Sequence, residues 1–188
     1  MASQTIDKLE AACRQLNTAI FLWFHDGDAV SIHTLACSAH QIVHDINHRR
    51  GGRDLLYDSL MFKDEYRRQA IHYLKQHYNF FKHAEKDPEG GIEFDPLVTE
   101  IFIMFTSLGL ELLGHSPDEV RGAFNIYYSL CNPHLLTDKG KAEFVDAVPE
   151  ESRKYALSMQ KKQFFEAYTL LRRRQMSGAE DIAPGNSR

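Results

Sequence analysis

The chain has 188 residues, of which 43% are hydrophobic and 26% charged, a composition typical of one globular domain with a sizeable core. The formal net charge of -4 gives no bulk attraction to polyanions, so neither bulk nucleic-acid affinity nor membrane binding is expected. Three cysteines are too few for a disulfide framework, and the N-terminus lacks a signal-peptide pattern. These features predict a cytoplasmic protein.

Seven helical segments are predicted, because capping residues and prolines divide the chain. They cover residues 5–25, 29–48, 55–85, 96–114, 117–131, 138–147 and 149–175. The pairs Asp95-Pro96 and Ser116-Pro117 are typical of a helix N-cap followed by the first helical residue. The stretch 97–113 is apolar nearly all round, which predicts the most buried helix of the core.

The sequence offers little evidence for strands. The one candidate is the glycine-rich stretch 90–94, and no longer segment alternates apolar and polar residues. The pattern therefore predicts an all-α fold, a single-domain helical bundle of about six or seven helices over residues 1–176. The small, polar segment 177–188 is predicted to be a disordered C-terminal tail.

Ten histidines are the unusual feature of the composition, and four of them fall in segment 29–48. They form one stripe of the predicted helix, displaced from its apolar face, and comprise His33, His40, His44 and His48, with Cys37 among them. Imidazoles four residues apart on a helix can reach one metal ion, so His33, His40 and His44 are candidate ligands of a transition metal such as zinc. The alternative is a solvated helix face on which the histidines are incidental.

The same segment contains the run Val43-His44-Asp45-Ile46-Asn47-His48. This run resembles the metal-binding motif of HD-family metal phosphohydrolases, which are also all-helical. The resemblance implies that the His44-Asp45 pair ligates a metal ion. His33 is the histidine upstream of that pair.

Segment 55–85 carries a second polar line. The side chains that project from one side of this predicted helix are Arg68, His72, Lys75, Asn79 and His83. Because such groups donate to anions and imidazole titrates near neutral pH, the line predicts an anion site or acid–base chemistry on phosphate. A solvated basic face is again the alternative. His77 points to the apolar side, which predicts a hydrogen-bonded core histidine.

Two further resemblances involve this segment. The runs HTLA (33–36), NFFKHA (79–84) and NPHLLT (132–137) resemble a group of bacterial helical proteins to which no function is attached. The spacing Asn79-x-x-x-His83 is more distantly similar to the Arg-x4-6-His signature of HEPN domains, with asparagine in place of arginine. Many HEPN domains are metal-independent ribonucleases of toxin or defence systems. This resemblance implies His83 and Asn79 as catalytic residues.

Three functions are therefore expected as alternatives. The first is a histidine-containing polar site for a metal or a phosphate-like ligand, with Arg68, His72 and Lys75 as ligand-binding residues. The second is a HEPN-like ribonuclease that uses His83 or His72. The third is a helical interaction module without catalysis, for which a homodimer is one assembly.

Overall fold

The structure is a computed structural model that describes residues 3–52, 55–56, 64–85 and 87–180, without the side chains of residues 64–67, 70 and 176–180. Its helices are α1 (Lys8–Phe24), α2 (Ala29–Arg49), α3 (Asp64–Lys82), α4 (Leu97–Leu112), α5 (Glu119–Cys131), α6 (Asp138–Lys141), α7 (Glu150–Ser158) and α8 (Lys161–Glu180). A 3-10 turn at Pro133–Leu135 and a π-helical turn at Ala142–Asp146 complete the described elements. The predicted all-α class is confirmed, with eight α-helices and no strand in the part of the chain that the structure describes.

The chain divides into two compact units, an N-terminal unit over Met1–Ser116 and a C-terminal unit over Pro117–Arg188. The predicted single domain over residues 1–176 stays a prediction. The predicted tail begins inside α8, which continues to Glu180, and residues 181–188 lie outside the described residues. A bilayer-spanning helix is absent from the described part of the chain.

In the N-terminal unit, α2 packs against α1, α3 and α4. Gly109 of α4 faces α2. A Cβ atom placed on Gly109 would lie 2.5 Å from Cγ1 of Val43 and 3.0 Å from Cδ1 of Leu55. The absence of a side chain at Gly109 therefore lets α4 lie close to α2, which brings the buried face of α4 against the histidines of α2.

Helix α4 is buried along one face. Phe102 and Ile103 are fully buried, whereas Leu97 and Leu112 are 65% and 52% exposed. The segment 97–113 therefore supplies the core as predicted from its apolar character, but it leaves an apolar stripe exposed on the opposite side.

In the C-terminal unit, α5 packs against α8. Tyr127 and Phe164 lie with their ring centroids 4.9 Å apart, and the Arg173 guanidinium donates two hydrogen bonds to the Glu119 carboxylate. Asp118 begins α5 by accepting hydrogen bonds from the backbone N–H groups of Val120 and Arg121, each at 3.0 Å. The expected cap at Ser116 is thus wrong by two residues, because the Asp118 carboxylate reaches two free N–H groups of the first turn.

Two predicted helix boundaries are also wrong. The predicted helix 149–175 is two helices, because Met159 is extended (φ -82°, ψ 148°) and the Gln163 side chain accepts a hydrogen bond from the N–H of Gln160. The helix predicted from residue 55 includes neither Leu55 nor Leu56; its described part is α3, and residues 57–63 lie outside the described residues. Leu55 and Leu56 are buried but not helical. Their apolar side chains pack in the core, and this apolar character did not indicate a helix.

Candidate functional site

The histidine stripe of α2 lies partly inside the N-terminal unit. We expected the stripe to be displaced from the core, but His33 and His40 are fully buried. His44 is half-buried, and only His48 at the end of the stripe is exposed. The solvated-face alternative is therefore wrong for His33 and His40, because α3 and α4 cover a wider part of α2 than its aliphatic residues indicate.

His33 joins two polar side chains in the core. Its Nδ1 lies 2.9 Å from Oγ1 of Thr99, and its Nε2 lies 3.4 Å from Sγ of Cys37. Burial and the neighbouring His77 lower the pKa of His33 to about 4, and burial raises the pKa of the Cys37 thiol. Both groups are therefore neutral at pH 7. A cysteine nucleophile needs a thiolate, which the burial of Cys37 disfavours.

His40 is also held neutral. Burial, followed by the positive charges of a protonated His44 and of Lys75, lowers the pKa of His40 to about 3. The rings of His40 and His44 lie nearly parallel, with their centroids 6.0 Å apart. The rings of His44 and His48 are also nearly parallel, with centroids 6.2 Å apart. Among the described side chains, no group of three His, Cys, Asp or Glu residues is arranged to hold a metal ion. The structure thus gives no support to zinc at His33, His40 and His44.

Among the described side chains, the His44-Asp45 pair is also not part of a group arranged to hold a metal ion. Asp45 is exposed, and its carboxylate accepts a hydrogen bond of 2.7 Å from the side-chain amide of Gln41 one turn earlier. This contact keeps the Asp45 carboxylate on the surface of α2. The HD-family resemblance therefore stays a prediction.

The second predicted line of residues does form part of a cleft. We call it the α3 cleft; its volume is about 470 Å³, and it lies between α3 and the segment that follows. Its polar lining residues are His72, Gln76, Asn79, His83, Glu85 and Asp87. Phe80 and Ile92 supply its apolar surface. Three of the five predicted side chains, those of His72, Asn79 and His83, are therefore brought together.

The other two predicted residues lie elsewhere. Arg68 is exposed and is not among the residues that line the α3 cleft. Lys75 is half-buried on the side of α3 that faces α2, where its charge acts on His40. The α3 cleft thus receives no positive charge from Arg68 or Lys75, and Lys86 lies outside the described residues.

Two carboxylates, those of Glu85 and Asp87, line the α3 cleft. His83 Nδ1 lies 3.5 Å from Oε1 of Glu85, so the two groups form an ion pair when the imidazole is protonated. The N–H of His83 also makes the last hydrogen bond of α3, to the carbonyl of Asn79. The C-terminal end of a helix carries partial negative charge, which adds to that of Glu85 and Asp87.

A second cleft adjoins the first one. We call it the His77 cleft; its volume is about 560 Å³, and it shares Gln76 and Ile92 with the α3 cleft. Its other polar lining residues are Tyr73, His77, Glu93 and Asp95. His77 Nε2 donates a 2.9 Å hydrogen bond to the carbonyl oxygen of Glu93. The predicted strand over residues 90–94 is absent, and this segment instead lies against α3, where Glu93 bonds to a histidine of that helix.

Sequence reasoning missed the carboxylates of both clefts. Residues 85–95 contain five acidic residues and one lysine, and this acidic run was the available signal. The run looked like an ordinary polar loop, because its position beside α3 is decided by tertiary contacts. The predicted role of His77 as a hydrogen-bonded core histidine agrees with its bond to Glu93 and its 4% exposure.

The chain matches no protein-family model, no curated protein and no solved structure. The resemblances to HD-family and HEPN proteins, and to the group of bacterial helical proteins, therefore stay predictions.

Proposed function

We propose that this protein binds a small cationic ligand in the α3 cleft. The observation that carries the proposal is the close contact at the end of α3, where His83 Nδ1 lies 3.5 Å from Oε1 of Glu85 in a cleft that Asp87 also lines and whose described lining residues include no lysine or arginine. Neutral imidazoles and amide oxygens accept hydrogen bonds, and carboxylates accept them more strongly when the donor is charged.

The charge of the cleft distinguishes between the two ligands expected from the sequence, a metal ion and a phosphate-like ligand. A phosphate-like ligand would lie beside Glu85 and Asp87, and two like charges at close range oppose its binding. A cation is attracted by the same carboxylates and by the C-terminal end of α3. The same argument weakens the ribonuclease alternative, because the phosphate of RNA would have to approach His83 past Glu85.

A metal ion and a protonated amine are the two simplest cations of this kind. Two donor atoms of one tetrahedral zinc ion lie about 3.3 Å apart, given metal–ligand bonds of about 2.0 Å. The 3.5 Å separation of His83 Nδ1 and Glu85 Oε1 is close to that value. Both side chains are exposed, so they can adjust to a cation at little cost.

The test is a titration of the full chain with zinc chloride, methylammonium and inorganic phosphate, followed by NMR chemical shifts. We expect both cations to shift the resonances of the α3 cleft and phosphate to leave them unchanged. His83→Ala should weaken zinc binding at least about tenfold. Because His83 is exposed, the free energy of unfolding should change by less than about 0.5 kcal/mol.

His48→Ala is the matched control, because the exposed His48 and the half-buried His44 form an i, i+4 pair on α2, which is the competing place for a zinc ion. Loss of zinc in His48→Ala with full retention in His83→Ala would place the ion on α2 and refute the proposal. Stronger shifts with phosphate than with either cation would do so as well.

A helical interaction module is the second candidate function, and the exposed stripe of α4 favours it. Leu97, Leu108 and Leu112 are 65%, 40% and 52% exposed and lie on one side of the helix. We expect the chain to self-associate through this stripe in analytical ultracentrifugation, and Leu108→Glu to shift it to monomer, since a charge in an apolar contact is costly. A wild-type chain that stays monomeric at high concentration would contradict this candidate.

A further inference from the structure

We draw no further inference here: the strongest candidate, the exposed apolar stripe of α4 formed by Leu97, Leu108 and Leu112, already carries the second candidate function, and nothing in the structure shows what covers it.

Discussion

Lowering the pH from about 7.5 to about 5 is expected to reduce the free energy of unfolding of the N-terminal unit by up to about 4 kcal/mol. The reason is that His33 and His40 are held neutral in the folded core, with pKa values of about 4 and about 3. In the unfolded chain their pKa returns to about 6.5, so unfolding takes up protons below that pH. Stability is therefore complete above pH 6.5 and is lost as the pH falls toward the folded pKa values.

The slope of the free energy of unfolding against pH identifies the groups that cause the loss of stability. Each buried histidine contributes about 1.4 kcal/mol per pH unit between about pH 6 and 5. His33→Phe and His40→Phe should each remove one such contribution from the slope, whatever they do to the stability at pH 7.5. Trp23 is the only tryptophan and lies in α1, so its fluorescence in urea titrations reports on this unit.

His48→Gln is the control for the acid effect, since His48 lies on the same helix but is exposed. We expect this variant to keep the wild-type slope. The hydrogen bonds from Ser31 lower the pKa of the Asp28 carboxyl, so this carboxylate does not enter the measured range. A free energy of unfolding that is unchanged between pH 7.5 and 5 would show that the two histidines are not buried as described.

Phe102→Ala is expected to destabilise the N-terminal unit by about 3–5 kcal/mol, the range for removing a buried aromatic ring. Phe102 is fully buried, and its ring meets those of His33 and His40 edge to face, with centroids 5.6 and 5.3 Å apart. The substitution would leave a cavity beside both imidazoles. Urea denaturation monitored at Trp23, at pH 7.5, measures the loss.

Leu108→Ala is the matched control, because it also truncates a large apolar side chain of α4 but at a position that is 40% exposed. It should cost about 1 kcal/mol or less. Water entering the cavity of Phe102→Ala should also raise the pKa values of His33 and His40 toward 6.5 and so flatten the dependence of stability on pH. Equal losses in the two alanine variants would contradict the burial of Phe102.

Much of the helical fold could be predicted because its signals are local. The starts of α2, α5 and α7 lie within two residues of the predicted positions, since an aspartate or a proline at each start acts on the first turn. The break at Met159 could not be predicted, because neither proline nor glycine marks it. The burial of Leu55 and Leu56 outside a helix also has no local cause.

The candidate site divides in the same way. Helical spacing placed His72, Asn79 and His83 on one side of α3, and the structure keeps them together. The spacing also placed Lys75 on that side of α3. Spacing does not show which neighbouring element packs against a residue, so the position of Lys75 beside α2 could not be predicted. The contribution of Glu85 and Glu93 depends on how the segment after α3 folds back along that helix.

By itself, the sequence determined the helical class, most helix starts and the alignment of polar residues along α3, because these follow from interactions within about four residues. Which stripe of α2 is buried depends on tertiary contacts and could not be predicted from the sequence. The histidines at positions 33 and 40 enter the core because Gly109 admits α4 to close contact and because Phe102 packs against both rings. The five acidic residues after α3 belong to a segment that lines two clefts. This placement also depends on long-range contacts, such as the hydrogen bond from His77 to Glu93.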